Sequence, residues 1–248
     1  MKKLKMFEGI YHSFNEIEKE GAAFASEFWK SRETKRIKEA LRMKPEALNS
    51  SKEYPLFHVA SMALNSEKNL KIIDFGGGLG KGFLSVSKGI LDLKQLDYKI
   101  IEIQEICDIG KKIFENEKKL EFITDFPPNQ EVDIFHFGSC LQYIENWREL
   151  LKKSFIYKPK YILFSDLLAG DIETFVTKQL MFDSILPYQF LNISEFISFI
   201  EDNNFTLRFR TNYEVKIQGV FQALPTDHFP KNKQLCNSSN LLFINTNI

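Results

Sequence analysis

The chain has 248 residues, a formal net charge of zero, 44% hydrophobic and 27% charged residues. That balance is ordinary for a globular protein with its own core. It gives overall charge no part in attracting nucleic acid or an anionic membrane. The three cysteines, Cys107, Cys140 and Cys236, are far apart and in no metal-ligand or redox spacing, which argues against a disulfide framework and a cysteine metal site.

The basic start, MKKLKMFEGIYHSF, carries too short an apolar run for a signal peptide, and no stretch approaches the roughly 18 apolar residues of a membrane span. A cytoplasmic location is the expectation. Ser13 and Glu16 form an S-x-x-E capping box. Ile17, Phe24 and Phe28 follow at helical spacing, which predicts a helix that Pro45 interrupts. Tyr54 to Ser66 predicts a second helix. Residues 1–53 are read as an N-terminal helical extension and residues 54–248 as the main domain.

From Lys71 onward, short apolar runs alternate with helical patterns. The strands read KIIDF, YKIIEI, LEFITDF, EVDIFHFGS, KYILFSDLL, FTLRFR and NLLFINT. Helices are predicted over KGFLSVSKGIL, DIGKKIFENE, NWRELLKKSF and NISEFISFIEDNN, the last with Asn192 and Glu195 as a capping box. This alternation predicts an α/β fold: a Rossmann-like, seven-stranded, mostly parallel sheet with helices on both faces, behind the helical extension. Two segments fall outside the repeat, Ala169 to Leu191 and Asn212 to Ser239. The Phe-rich part of the first, Thr174 to Phe190, reads equally as a lid, a homodimer face or a core-packed insertion.

The stretch KIIDFGGGLGKG (Lys71 to Gly82) carries the functional signal. A phosphate-binding G-x-x-x-x-G-K-[ST] loop fails, because Phe75 stands at its first position and Gly82 at its last. A dinucleotide G-x-G-x-x-G fails in every register, since Lys81, Phe83 or Ser85 occupies the sixth position. What remains is Asp74 with alternate glycines Gly76, Gly78 and Gly80 after an apolar strand. Such glycines let a ligand approach the backbone and take positive φ. The helix start offers free N–H groups to a carboxylate. A ligand with an amine, a carboxylate and a nucleoside but no phosphate matches, and S-adenosyl-L-methionine is one.

IIDFGGGLG resembles the first motif of class I S-adenosyl-L-methionine-dependent methyltransferases. The resemblance runs from about Tyr54 to Ile248 and includes HFGSCLQYIENWRELL after the fourth strand. It implies that Glu102 holds the ribose hydroxyls and that Asp125 contacts the adenine amine. The cofactor-binding set it implies is Asp74, Gly76, Gly77, Gly78, Gly80, Glu102, Ile103, Asp125, Phe126 and Ser139, with no metal. The openings FEGIYHSFNE, IIEIQEICDIGKKIF and LQYIENWRELL resemble a narrower family of bacterial methyltransferases encoded among surface-polysaccharide (O-antigen or capsule) genes. That resemblance implies methyl transfer to a small-molecule or glycan acceptor, foremost a sugar hydroxyl. Methylation of another small acceptor, or a non-catalytic S-adenosyl-L-methionine-binding partner in glycan assembly, stays open.

No residue identifies itself as a catalytic base. Tyr11, His12, Asp166 and His228 are the candidates at plausible pocket edges, with Tyr143 and Asp171 behind them. His58 reads as a core or packing residue, and His136, within the fourth strand, as structural. The fourth strand ends in FGSCLQY, without the [DNS]-P-P-[YFW] clamp for exocyclic base amines and without the second carboxylate that a catechol-type Mg²⁺ site needs beside Asp166.

Overall fold

Apolar runs buried on both faces build the centre of the molecule. The computed structural model describes residues 6–49, 55–64, 69–91, 93–128, 130–181, 184–214, 216–217 and 220–247. In chain order the strands are β1 (Phe7–Tyr11), β2 (Asn69–Phe75), β3 (Gln95–Ile101), β4 (Leu120–Ile123), β5 (Ile134–Gly138), β6 (Tyr161–Leu167), β7 (Ala169–Gly170), β8 (Phe175–Met181), β9 (Ser184–Asn192), β10 (Phe205–Tyr213), β11 (Lys216–Ile217), β12 (Val220–Phe221) and β13 (Ser238–Asn245). The α-helices are α1 (Glu27–Arg42), α2 (Pro45–Asn49), α3 (Pro55–Ala63), α4 (Lys81–Gly89), α5 (Gln104–Ile113), α6 (Trp147–Phe155) and α7 (Ile193–Glu201).

Among the described residues the main sheet has seven strands, in the order β10-β13-β6-β5-β2-β3-β4. β2 to β6 pair in parallel, and β13 runs antiparallel to both β6 and β10. β3 lies on one side of β2 and β5 on the other. The crevice at the carboxyl ends of β2 and β5 is therefore the topological switch point, where open α/β sheets bind ligands.

Alternate residues serve alternate faces. Ile72, Ile134 and Leu163 pack with Leu56, Val59 and Phe83 of α3 and α4. Ile73, Phe135 and Phe164 pack with Trp147 and Leu151 of α6 and Phe196 and Ile200 of α7. Asn192 caps α7 as its spacing predicts, its side-chain oxygen accepting from the Glu195 N–H at 2.9 Å.

α1 and α2 supply the helical extension, but the chain enters it differently from the pattern at Ser13. Glu16 does reach back, accepting from the Ser13 N–H at 2.9 Å and the His12 N–H at 3.0 Å. This closes only one 3-10 turn, Phe14–Glu16. Gly21, at φ +75°, then turns the chain. α1 starts at Glu27, where the Ser26 hydroxyl accepts from the Trp29 N–H at 3.2 Å. The expected stripe is thereby split. Ile17 packs with Phe14 and Val176, Phe24 meets Trp29 and Tyr143 edge-on, and Phe28 is 55% exposed.

β1 precedes all of this, and it pairs antiparallel with β8. With β9 and β7 these strands form a second sheet in the order β1-β8-β9-β7. The described part of the Phe-rich segment is thus largely strand, and its Phe175, Tyr188 and Phe190 are buried in one cluster with Phe7 and Phe229, Phe175 and Phe190 being stacked at 4.9 Å and 3°. No helix among the described residues is long and apolar enough to cross a membrane.

Candidate functional site

The loop after β2 has the backbone its glycines permit. Gly76, Gly78 and Gly80 sit at φ +70°, +56° and +87°, a left-handed conformation that costs other residues strain. The Gly76 N–H donates to the Ile101 carbonyl at 2.9 Å, tying the loop to the end of β3. Glu102 follows there. Its carboxylate accepts from the Gly78 N–H and from the Ile103 N–H, both at 3.0 Å. Burial holds this carboxyl above the usual range, against the pull of the two N–H bonds.

The other expected cofactor residues line the neighbouring strand ends. Ile103 is 44% exposed beside Glu102. Asp125 is exposed after β4, with the Thr124 hydroxyl donating to it at 3.2 Å. Phe126 is half-buried against Phe75, Phe135 and Tyr157. Ser139 follows β5.

Asp74 is buried, and both of its oxygens are engaged. The Tyr98 hydroxyl donates to Oδ2 at 2.6 Å, and His136 Nδ1 lies 2.7 Å from Oδ1. His136 Nε2 is 2.9 Å from the Ser165 Oγ. Asp74 and His136 are register partners on β2 and β5, and Ser165 pairs with Gly138 on β6, so three adjacent parallel strands place this row. The row also dictates glycines. A Cβ at Gly77 would come within 2.5 Å of Asp74 Oδ2, and one at Gly138 within 2.8 Å of His136 Cε1. Gly77 is needed for room, whereas Gly78 has open space and is needed for its φ.

A cavity of about 130 Å³ opens over this row. Gly76, Gly77, Asp74, His136, Ser165, Ser139 and Asp166 line it, and Lys81 and Tyr213 close two more sides. Ser139 and Asp166 both hold positive φ, +52° and +54°, at the ends of adjacent strands. Non-glycine residues in that region are held there by their surroundings and cluster at functional sites. The Ser139 hydroxyl donates to Asp166 at 2.7 Å and the Ser238 hydroxyl to its other oxygen at 2.5 Å. Gln142 donates to Ser139 through Nε2 at 3.1 Å. Its Oε1 is buried without a hydrogen-bond partner among the described residues.

Of the sequence candidates for catalysis, only Asp166 lines the cavity. Tyr11 lies on β1 with its ring folded over Gly9, His12 is exposed, and exposed His228 stacks on Phe229 at 4.1 Å. His58 is on the exposed side of α3 and is no core residue. His136 is buried, but in a polar row and not in apolar packing. Its signal was present in DIFHFG: it shares its face with Ile134 and Gly138, one step from the strand's carboxyl end. Ser165 on β6 carried the same signal.

No protein-family model matches the chain, and no curated protein does. Solved structures do. A Burkholderia thailandensis 1,6-didemethyltoxoflavin N1-methyltransferase, with its substrate and S-adenosylhomocysteine bound, aligns with a TM-score of 0.51 at 10% identity over 91% of this chain and 93% of its own. A Methanosarcina mazei S-adenosylmethionine-dependent methyltransferase aligns with a TM-score of 0.54 at 12% identity over 77% and 97%. An O-methyltransferase of neocarzinostatin biosynthesis, bound to S-adenosylhomocysteine and 1,4-dihydroxy-2-naphthoic acid, aligns with a TM-score of 0.52 at 9% identity over 90% of this chain and 60% of its own. At these identities the likeness establishes the fold: a Rossmann-like α/β fold that these methyltransferases share.

Proposed function

We propose that the protein is an S-adenosyl-L-methionine-dependent methyltransferase acting on a hydroxyl of a small molecule or glycan. The observation that carries this reading is the Glu102 carboxylate at the switch point, drawn against a loop of three positive-φ glycines. One carboxylate suits two adjacent ribose hydroxyls as charge-assisted acceptor. Exposed Ile103 offers an apolar face to a purine, and exposed Asp125 an acceptor to its amine. The glycine loop and Ser139 border the space left for the amino-acid end. Asp74 serves this end indirectly, since Tyr98 and His136 already hold its carboxylate. When bound, the cofactor supplies a methyl group on a sulfonium; as an acceptor oxygen bonds to that carbon, sulfur keeps the electron pair.

Acceptor binding falls to the Ser139–Asp166 end of the cavity. The fold neighbours' named acceptors, 1,6-didemethyltoxoflavin and 1,4-dihydroxy-2-naphthoic acid, are small molecules. A sugar hydroxyl in surface-polysaccharide assembly is supported by the sequence resemblance. In this reading residues 1–53 extend the domain of residues 54–248 beside the acceptor. Calorimetry with S-adenosyl-L-methionine and with NAD tests the cofactor. Labelled-methyl transfer to nucleotide-sugars, glycans and small phenols tests the acceptor. Cofactor binding without transfer to any of them would leave a binding module, the other reading of the sequence.

A further inference from the structure

Methylation of a neutral hydroxyl releases one proton, and the site must take it. The candidates first suggested by the sequence do not line the cavity, apart from Asp166. That carboxylate already accepts from two hydroxyls, Ser139 and Ser238. The buried row beneath the glycine loop has the groups and the polarity for the task.

The hydrogen atoms along the row can be assigned by elimination. The Tyr98 hydroxyl donates to Asp74 Oδ2, and an ionised Asp74 can only accept. His136 Nδ1, 2.7 Å from Asp74 Oδ1, must therefore carry its proton. In the neutral ring Nε2 is then a bare acceptor, and it faces the Ser165 hydroxyl at 2.9 Å. Asp74, His136 and Ser165 all line the cavity, and all three are at most 6% exposed. This is the order acid, imidazole, hydroxyl in which a carboxylate fixes the tautomer and stabilises the imidazolium.

We propose that Ser165 and His136 form the proton-accepting relay of the methyl transfer. The acceptor's proton passes to Ser165 Oγ while the serine's own proton passes to His136 Nε2. The resulting imidazolium rests beside Asp74 and later loses its proton to solvent, which restores the row. Ser165 is the catalytic residue, because it touches the acceptor; His136 and Asp74 act through it. Gly77 and Gly138 are kept small by the same row. The inference rests on the methyltransferase reading.

Of the titratable groups around the row, Asp74 from β2 contacts His136, Tyr98 from β3 holds the other oxygen of Asp74, Cys140 lies within electrostatic reach of Asp74, and Asp166 from β6, Lys81 from α4 and Tyr213 from β10 line the same cavity. A first test reads the ring directly. In protein carrying [15N]histidine, with and without S-adenosylhomocysteine, two-bond ¹H–¹⁵N correlations report the tautomer, and His136→Gln identifies the signal. The relay requires Nδ1 protonated and Nε2 bare at neutral pH, with an Nε2 shift that changes in Ser165→Ala. A ring protonated at Nε2, or one blind to Ser165→Ala, overturns the proposal whether or not an acceptor is in hand.

A second test separates base from scaffold. His136→Gln and Ser165→Ala are compared with the parent at saturating S-adenosyl-L-methionine and below their own unfolding transitions. They should lower kcat for a neutral hydroxyl acceptor by about 10²- to 10⁴-fold. The loss should vanish for an acceptor that is already ionised, such as 4-nitrophenol above its pKa. Equal losses for both acceptors would make the row structural and overturn the relay. A parent protein that binds no S-adenosylhomocysteine would instead end the methyltransferase reading.

Discussion

Both sheets bury polar side chains, but those of the four-stranded sheet (Thr177, Gln179, Ser184 and Gln189) bond to nearby chain segments and do not line the cavity. The seven-stranded sheet is apolar along its body but gathers Asp74, His136, Ser165, Ser238 and Asn240, all buried, at one end. Each of these makes side-chain hydrogen bonds, and the neighbouring backbone is held at positive φ at five nearby positions, Gly76, Gly78, Gly80, Ser139 and Asp166. The four-stranded sheet holds stacked and edge-on rings around Phe7, Phe175, Tyr188 and Phe190. Buried polar groups are costly unless satisfied, and both sets are hydrogen-bonded; Asp74, His136 and Ser165 alone of these buried side chains also line the cavity. Aromatic packing is tolerant of what it covers. The comparison teaches that the cavity is lined from the ends of the first sheet and the loops beside it, while the rings of the second sheet form a buried cluster of their own.

The largest effect expected from breaking this contrast is in the aromatic sheet. Phe190→Ala removes a fully buried ring that touches Phe7, Phe175 and Tyr188. It should cost about 3–5 kcal/mol of stability, read by chemical denaturation. Cofactor affinity measured below the unfolding transition should change little, because the glycine loop belongs to the other sheet.

Glu102 gives the converse, a functional loss with a stability gain. Charged hydrogen bonds to two hydroxyls are worth about 1.5–3 kcal/mol each way of counting, so Glu102→Gln should weaken S-adenosyl-L-methionine binding about 10- to 100-fold. Burial raises the folded-state pKa of Glu102 above its unfolded value. Between those two values the native state binds more protons than the unfolded state, so stability falls as pH rises through the window. Glu102→Gln should therefore raise the ligand-free melting temperature at pH 7, with the gain shrinking as the pH falls from the raised folded value to the usual carboxylate value. A gain that persists unchanged in acid would contradict this cause.

Neighbouring glycines sharpen the comparison within the loop. Gly77→Ala drives a Cβ against Asp74, which Tyr98 and His136 hold in place, and should cost about 1–3 kcal/mol with a loss of cofactor affinity. Gly78→Asn places a residue that tolerates the left-handed region where there is open space, and should cost about 1 kcal/mol or less. Denaturant titration of the two variants gives the order directly; a reversed order would show that the left-handed φ at Gly78, and not room at Gly77, limits the loop.

What could be read in the sequence was what depends on near neighbours. Alternate glycines after an apolar strand predict the three positive-φ turns, because the requirement is local to each residue. Glu102 stood out as the one charge in an apolar run, and the mostly parallel sheet needed only the alternation of strands and helices. The row Asp74–His136–Ser165 was hidden because it depends on the register of β2 against β5 and of β5 against β6, which no local pattern encodes. β1 was hidden for a similar reason: FEGIY becomes a strand by pairing with β8, whose residues lie far along the chain. The start of α1 was misplaced because a real capping interaction at Ser13 is overruled by Gly21 and by a second cap at Ser26.

The central claim is that the carboxyl ends of β2, β3 and β5 hold S-adenosyl-L-methionine, with Glu102 after β3 as its ribose ligand. Isothermal titration of the parent protein and Glu102→Ala with S-adenosyl-L-methionine and with NAD tests it most directly. The account predicts one site for S-adenosyl-L-methionine, none for NAD, and a loss of about 10- to 100-fold in the variant. Absence of S-adenosyl-L-methionine binding, or binding that survives Glu102→Ala unchanged, would contradict it.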